Sequence, residues 1–143
     1  MRFPTLVCSI ALVISLAPAF SAAEPPAVEK ITPAAAAQGA KEGKAVLVDV
    51  RERNELNGGM AEGARWYPSS SIEDDPDGYK KFIESLPADR TLVFYCAAGV
   101  RAGAAAEIAR KELGRRTANF GGFKDWKAAG LPVAIPSKQL DPG

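Results

Sequence analysis

Two runs constrain this chain more than anything else in it: AVLVDV at 45–50 and TLVFY at 91–95. Each is a short, nearly continuous stretch of β-branched, leucine and aromatic side chains, without the polar–apolar alternation of a half-exposed strand. Strands of that composition are covered on both faces, the usual condition of a parallel sheet flanked by helices. The segments around them read as helices. Thr32-Pro33 ahead of AAAAQGAKEG supplies an N-cap and a first-turn proline, predicting a helix that closes near Gly43. Arg101 to Leu113 is an alanine-rich helix stopped by Gly114. Short strands are expected at 28–31 and 117–120, and a helix at 123–129 ahead of Gly130 and Pro132. The glycine-rich stretch NELNGGMAEGARWYP reads mostly as loop, with a short strand near Arg65–Tyr67. The acidic run EDDPDG leads into a helix from Tyr79 to Leu86, halted before Pro87. Strands alternating with helices predict an α/β domain, its central sheet mainly parallel and helices on both faces.

The amino end does not belong to that pattern. Met1-Arg2 gives a positive start, LVCSIALVISLAPAF is apolar, and Ser21-Ala22-Ala23 places small residues before Glu24. Residues 1–23 therefore read as a secretory signal peptide, too short and too lightly flanked for a stable membrane span. An uncleaved anchor is the alternative, and Cys8 lies too near the start for a lipoprotein cysteine. Cleavage after Ala23 leaves about 120 residues, enough for one domain. That domain is expected over 24–135, with a loose polar tail at 136–143. Export points to the periplasm in a Gram-negative source, with no membrane association after cleavage.

Charge and cysteine usage then narrow the chemistry. With Arg2 removed, the 18 basic residues fall to 17, equal to the 17 acidic ones. Such a balance suggests neither nucleic acid nor an anionic membrane as a partner. Two cysteines are present, so cleavage leaves Cys96 alone and an internal disulfide impossible. The chain has 0 histidines, which excludes Ser-His-Asp and Cys-His triads and histidine metal sites. No metal or cofactor is expected. If Cys96 does chemistry, something other than an imidazole must activate it.

Cys96 closes the second buried run and is followed by Ala97, Ala98, Gly99, Val100 and Arg101. In open α/β sheets, sites form where a strand's carboxyl end leads into the next helix. Small residues and a glycine allow a tight loop with its N–H groups turned inward, and the following helix adds more. A thiol in that bowl is surrounded by donors that favour the thiolate. Arg101 supplies a fixed positive charge able to orient an anion, at a helix end where cations are otherwise disfavoured. The plain alternative is a cysteine serving as a small buried hydrophobe.

Four segments resemble the rhodanese-like family, in the family's order, over about Val28 to Val133. LVDVRERNEL at 47–56 resembles its DVR-x-x-x-E segment. GMAEGARWYP at 59–68 is similar to GHIPGAxxxP, departing at Met60 and Glu62, where histidine and proline are usual. TLVFYCAAGVR at 91–101 resembles the strand and C-x-x-G-x-R loop, and GGFKDWKAAGLPV at 121–133 the GGxxxWxxAGLPV ending. The resemblance implies a three-layer rhodanese-like fold and a sulfurtransferase. Cys96 would take sulfane sulfur from thiosulfate or a persulfide, then pass it to cyanide or a thiol, through a covalent persulfide. Partners would be small sulfur-containing anions or persulfides, and a redox or sulfur-handling protein. A low-turnover sulfur carrier or binding module is the alternative, and a thiol redox partner would lack a resolving cysteine.

Loop length separates two chemistries. Related phosphatases carry five residues between cysteine and arginine, whereas here there are four, Ala97 to Val100, a narrower bowl suited to sulfur. Ala97, Ala98 and Val100 offer no charged or hydroxyl group, so weak affinity for thiosulfate is expected, with a neutral or organic persulfide the better donor. Asp49 and Arg51 are read as an ion pair supporting the loop below Cys96, with a place on the pocket rim as the alternative. Glu52 and Glu55 are expected at the surface or a helix start, and Trp66 and Trp126 in the core. Arg115 and Arg116 should complement a helix dipole, and Gly63, Gly121 and Gly122 should occupy turns with unusual backbone angles.

Overall fold

Thr32 does cap the first helix: its hydroxyl accepts from the Ala35 N–H at 3.1 Å, and Pro33 opens the first turn. The computed structural model describes residues 23–136, so the expected signal segment up to Ala22 and the tail after Pro136 lie outside the described residues. In chain order come β1 (Glu29–Lys30), α1 (Pro33–Lys41), β2 (Ala45–Asp49), a 3₁₀ turn (Arg53–Gly58), β3 (Met60–Ala61) and β4 (Arg65–Trp66). Then follow α2 (Ser69–Asp74), α3 (Pro76–Ser85), β5 (Thr91–Cys96), α4 (Val100–Leu113), β6 (Thr117–Gly122), α5 (Phe123–Ala128) and β7 (Val133–Ala134).

The main sheet has the order β1-β6-β5-β2-β4, and all its pairs are parallel. β3 and β7 form a separate antiparallel ribbon. The two buried runs are therefore the neighbouring strands β2 and β5, with Val48 opposite Phe94 and Asp49 opposite Tyr95. Their side chains sort by alternation. Val48, Val50, Leu92, Phe94 and Cys96 pack with Ile72, Tyr79, Phe82 and the Ala102, Ala105, Ala106 and Ala109 stripe of α4. Ala45, Leu47, Val93 and Tyr95 pack on the other face with Ala36, Phe123 and Trp126 of α1 and α5. Each such face buries several large side chains, each contributing roughly 1.5–3 kcal/mol. The result is the expected three-layer α/β arrangement, helices on both faces of a parallel sheet.

Between Phe94 and Cys96 the register against β6 slips. Phe94 sits opposite Asn119, yet Cys96 sits opposite Gly122, so β6 takes three steps where β5 takes two. This bulge lies beside the end of β5 that carries the cysteine.

Several elements differ from expectation. The stretch after β2 is a 3₁₀ turn rather than open loop, because Arg51 reaches into it: its Nη1 donates to Glu55 O at 3.0 Å and its Nη2 to Gly59 O at 2.8 Å. α2 was not expected; its Ser70 N–H is capped from afar by the Glu52 carboxylate at 3.0 Å. α3 begins at Pro76, earlier than Tyr79, because Asp75 caps it through Gly78 N at 2.9 Å. Arg115 does not serve its own helix. It is buried and donates to Ile83 O at 2.7 Å, satisfying the end of α3 instead.

Candidate active site

Cys96 ends β5 and is only 2% exposed. Its side chain belongs to the α4 face of the sheet, so the sulfur lies under the start of that helix. Gly99 N donates to the Cys96 sulfur at 3.0 Å. That contact requires the chain to reverse sharply within three residues, and Gly99 makes the reversal with φ +100° and ψ −15°. A side chain there would be strained, and its Cβ would also stand 3.1 Å from Gly121 Cα. α4 then begins at Val100, so the first amides of the helix face the same bowl. Ala97, Ala98 and Val100 are exposed, Val100 by 83%, and they give the bowl an apolar lip.

Gly121 and Gly122 form the wall opposite. Gly121 does adopt φ +94°, as expected of a turn glycine. Gly122 does not: its backbone is extended, at φ −108° and ψ 148°. It must be glycine for room, since a Cβ would run into Ala97 O.

Arg101 stands at the rim but is not free. Its two terminal nitrogens donate to the Glu55 carboxylate at 2.7 and 2.8 Å, a bidentate fork joining α4 to the 3₁₀ turn. The Arg101 guanidinium holds the Glu55 carboxyl down at about 2, against an ordinary 4.5. The same carboxylate raises Arg101 further above its already high value. Glu55 is thus neither a bystander at the surface nor merely a helix-start group. Its local signal was its place three residues after Glu52, in a capping box in which Glu52 N donates to Glu55 Oε2 at 2.8 Å.

Asp49 and Arg51 lie one layer deeper. Arg51 Nη2 reaches Asp49 Oδ2 at 2.6 Å, and its Nε reaches both carboxylate oxygens at 3.0 and 3.1 Å. Both side chains are almost wholly buried, and the guanidinium stacks 4.1 Å from the centre of the Phe123 ring. Because Arg51 also binds Glu55 O and Gly59 O, the buried pair fixes the turn from which Glu55 reaches Arg101. Trp66 donates to Arg51 O at 2.8 Å, and Trp126 is buried on the α5 face, so both tryptophans are core.

One residue of the site was not anticipated. Asn119, on β6, donates through Nδ2 to Gly99 O at 2.9 Å and accepts from Gly121 N at 2.8 Å. No spacing rule marks it, because the bulge that brings it to the loop is set by tertiary pairing. A cavity of about 790 Å³ lies elsewhere. It is lined by residues such as Ala37, Lys41, Ala45, Arg65 and Leu131, toward the amino ends of the strands, and none of its walls belongs to the cysteine loop.

This arrangement places a backbone amide donor on a buried sulfur at the start of a helix, where negative charge is favoured. Comparison with known proteins gives the same direction. A family model for the rhodanese-like domain matches residues 32–129. The uncharacterized protein YqhL of Bacillus subtilis is 39% identical over 84 residues, 58% of this chain and 61% of that protein's length. A protein named sulfurtransferase from Allochromatium vinosum is 32% identical over 92 residues, 64% of this chain and 79% of its own. A solved structure from Rhodopseudomonas palustris, described as a protein of unknown function and possible tyrosine phosphatase, is 30% identical with a TM-score of 0.59. That match covers 75% of this chain and 85% of the other.

Proposed function

The chain belongs to the rhodanese-like family, and from that premise we propose that it is a sulfurtransferase working through a persulfide on Cys96. The observation that carries this reading is the 3.0 Å contact from Gly99 N–H to the buried sulfur at the start of α4. The Cys96 thiolate attacks the outer sulfur of a donor R–S–SH. A Cys96 S–S bond forms, the donor's S–S bond breaks, and its electron pair leaves on R–S⁻. An acceptor thiolate then attacks the outer sulfur of Cys96–S–SH, leaves as its own persulfide, and returns Cys96 as thiolate. Loop amides stabilise the charge on sulfur in both steps, a preorganised role that costs little rearrangement.

The lip suggests the donor. Glu55 already neutralises Arg101, and Ala97, Ala98 and Val100 present no polar side chain to a dianion. Organic persulfides fit this mouth better than thiosulfate. Four residues between Cys96 and Arg101 leave a bowl sized for sulfur rather than phosphate, and hydrolysis of an aryl phosphate is the control. We also propose, from the signal-peptide pattern of residues 1–23, that the working protein lies outside the cytoplasm after their removal. The decisive experiment is intact mass after incubation with a persulfide donor. A gain of one sulfur atom, removed by cyanide or a thiol and absent in Cys96→Ser, is the expected result. An unchanged mass refutes the covalent route.

A second reading, a sulfur carrier with little turnover, draws on the same tied arginine and apolar lip. It shares the mass gain and differs in rate: a persulfide that forms once and is released only slowly to added thiols marks a carrier.

A further inference from the structure

We propose that Asn119 is the positioning residue of the cysteine loop, a clamp that couples the β6 bulge to the amides around the Cys96 sulfur. This rests on the reading of Cys96 as the reacting atom. Three observations meet at this side chain. The bulge makes Phe120 and Gly121 take up an extra step in β6, so Gly121 N turns out of the strand ladder and donates to Asn119 Oδ1 at 2.8 Å. The other end of the same amide donates to Gly99 O at 2.9 Å. Gly103, one turn into α4, packs beside it: even a Cβ there would stand at ordinary contact distance, 3.5 Å from Asn119 Nδ2.

The consequence follows from the planarity of the peptide group. Gly99 O is held by both Gly103 N, at 2.9 Å, and Asn119 Nδ2. In a trans peptide the carbonyl and the next N–H point in opposite directions, so pinning Gly99 O toward β6 sends Val100 N–H out of the helix's amino end. The preceding plane hinges on it at Gly99 Cα, and its N–H donates to the sulfur at 3.0 Å, so holding one plane narrows the range open to the other. Asn119 touches neither the sulfur nor the mouth of the bowl. Its donor and acceptor ends cannot be exchanged, because one partner is a carbonyl and the other an N–H.

Aspartate is the discriminating replacement. Asn119→Asp keeps an acceptor for Gly121 N, loses the donor to Gly99 O, and sets two oxygens against each other. Asn119→Ala removes both ties. The test is the rate of Cys96 alkylation by iodoacetamide at pH 7, followed by intact mass, alongside thermal unfolding of each variant. A merely structural role would loosen the fold and make a 2%-exposed cysteine react faster. A positioning role predicts the opposite sign: both variants alkylate roughly tenfold more slowly while still unfolding cooperatively, about the worth of one hydrogen bond to a charged group. If the alanine variant does not fold, the aspartate variant decides. Alkylation at or above the wild-type rate in a folded variant overturns the proposal. A wild-type protein that alkylates readily but never gains sulfur would sink the sulfurtransferase reading, while the role of Asn119 would still be judged by the alkylation rates.

Discussion

Two arginine–carboxylate forks are attached to the same short turn, and they are built for different purposes. Asp49–Arg51 lies in the interior, with side chains 0% and 4% exposed, and Arg51 spends its remaining donors on Glu55 O and Gly59 O. Glu55–Arg101 lies at the mouth of the bowl, with side chains 29% and 34% exposed. Removing one partner of a buried pair leaves a charge that water cannot reach, so the deeper fork sets geometry and tolerates little change. An exposed fork can exchange partners with water at small cost, so the outer one is free to be tuned. The site therefore has a rigid foundation and an adjustable rim, each made from an arginine and a carboxylate.

Three measurements would break or sharpen that contrast. The largest effect is expected from Arg51→Leu, which leaves Asp49 unpaired in the interior and should lower stability by about 3–5 kcal/mol in chemical denaturation. A loss below about 1 kcal/mol would put the two forks on an equal footing. The next is Glu55→Gln, which releases Arg101 toward the bowl. Sulfur uptake from thiosulfate should then improve several-fold relative to a neutral organic persulfide, read as a change in the ratio of kcat/KM values; an unchanged ratio would deny the rim any part in donor choice. The smallest effect concerns acid. Glu55 is held at about 2 in the fold against an ordinary 4.5. A depressed carboxylate contributes stability fully above its ordinary range and loses it as pH falls through the folded value. Wild type and Glu55→Gln should therefore differ in stability at neutral pH and converge near pH 2, with a modest gap because both side chains are partly solvated.

Local patterns in the sequence account for the parts of the fold that local forces decide. β2 and β5 are visible because burial on both faces demands unbroken apolar runs, and α1 because Thr32 and Pro33 cap it from within the chain. α2 is six residues without a clear apolar period, and its capping carboxylate comes from Glu52. The 3₁₀ turn looks like loop because its own Glu52–Glu55 cap is short and the Arg51 side chain from beyond it holds the rest. The site divides the same way. Cys96 and the loop to Arg101 are contiguous and could be read as a unit. Asn119, Gly122's need for space and Glu55's grip on Arg101 depend on pairings across strands, and no single segment carries them.

The cradle is shared among three strands that enter the sheet at different times. β2 brings the turn with Glu55, β5 brings the sulfur, and β6 brings Asn119 and the Gly121-Gly122 wall. Parallel pairing of this kind closes long loops before any contact rewards it, which makes assembly slow and late. A growing chain that has delivered Cys96 still has an open edge on β5 and lacks the β6 side of the loop. Until Gly122 has arrived, the wall that faces Ala97 and Gly99 is missing, so a partly delivered chain holds Cys96 without its finished surroundings.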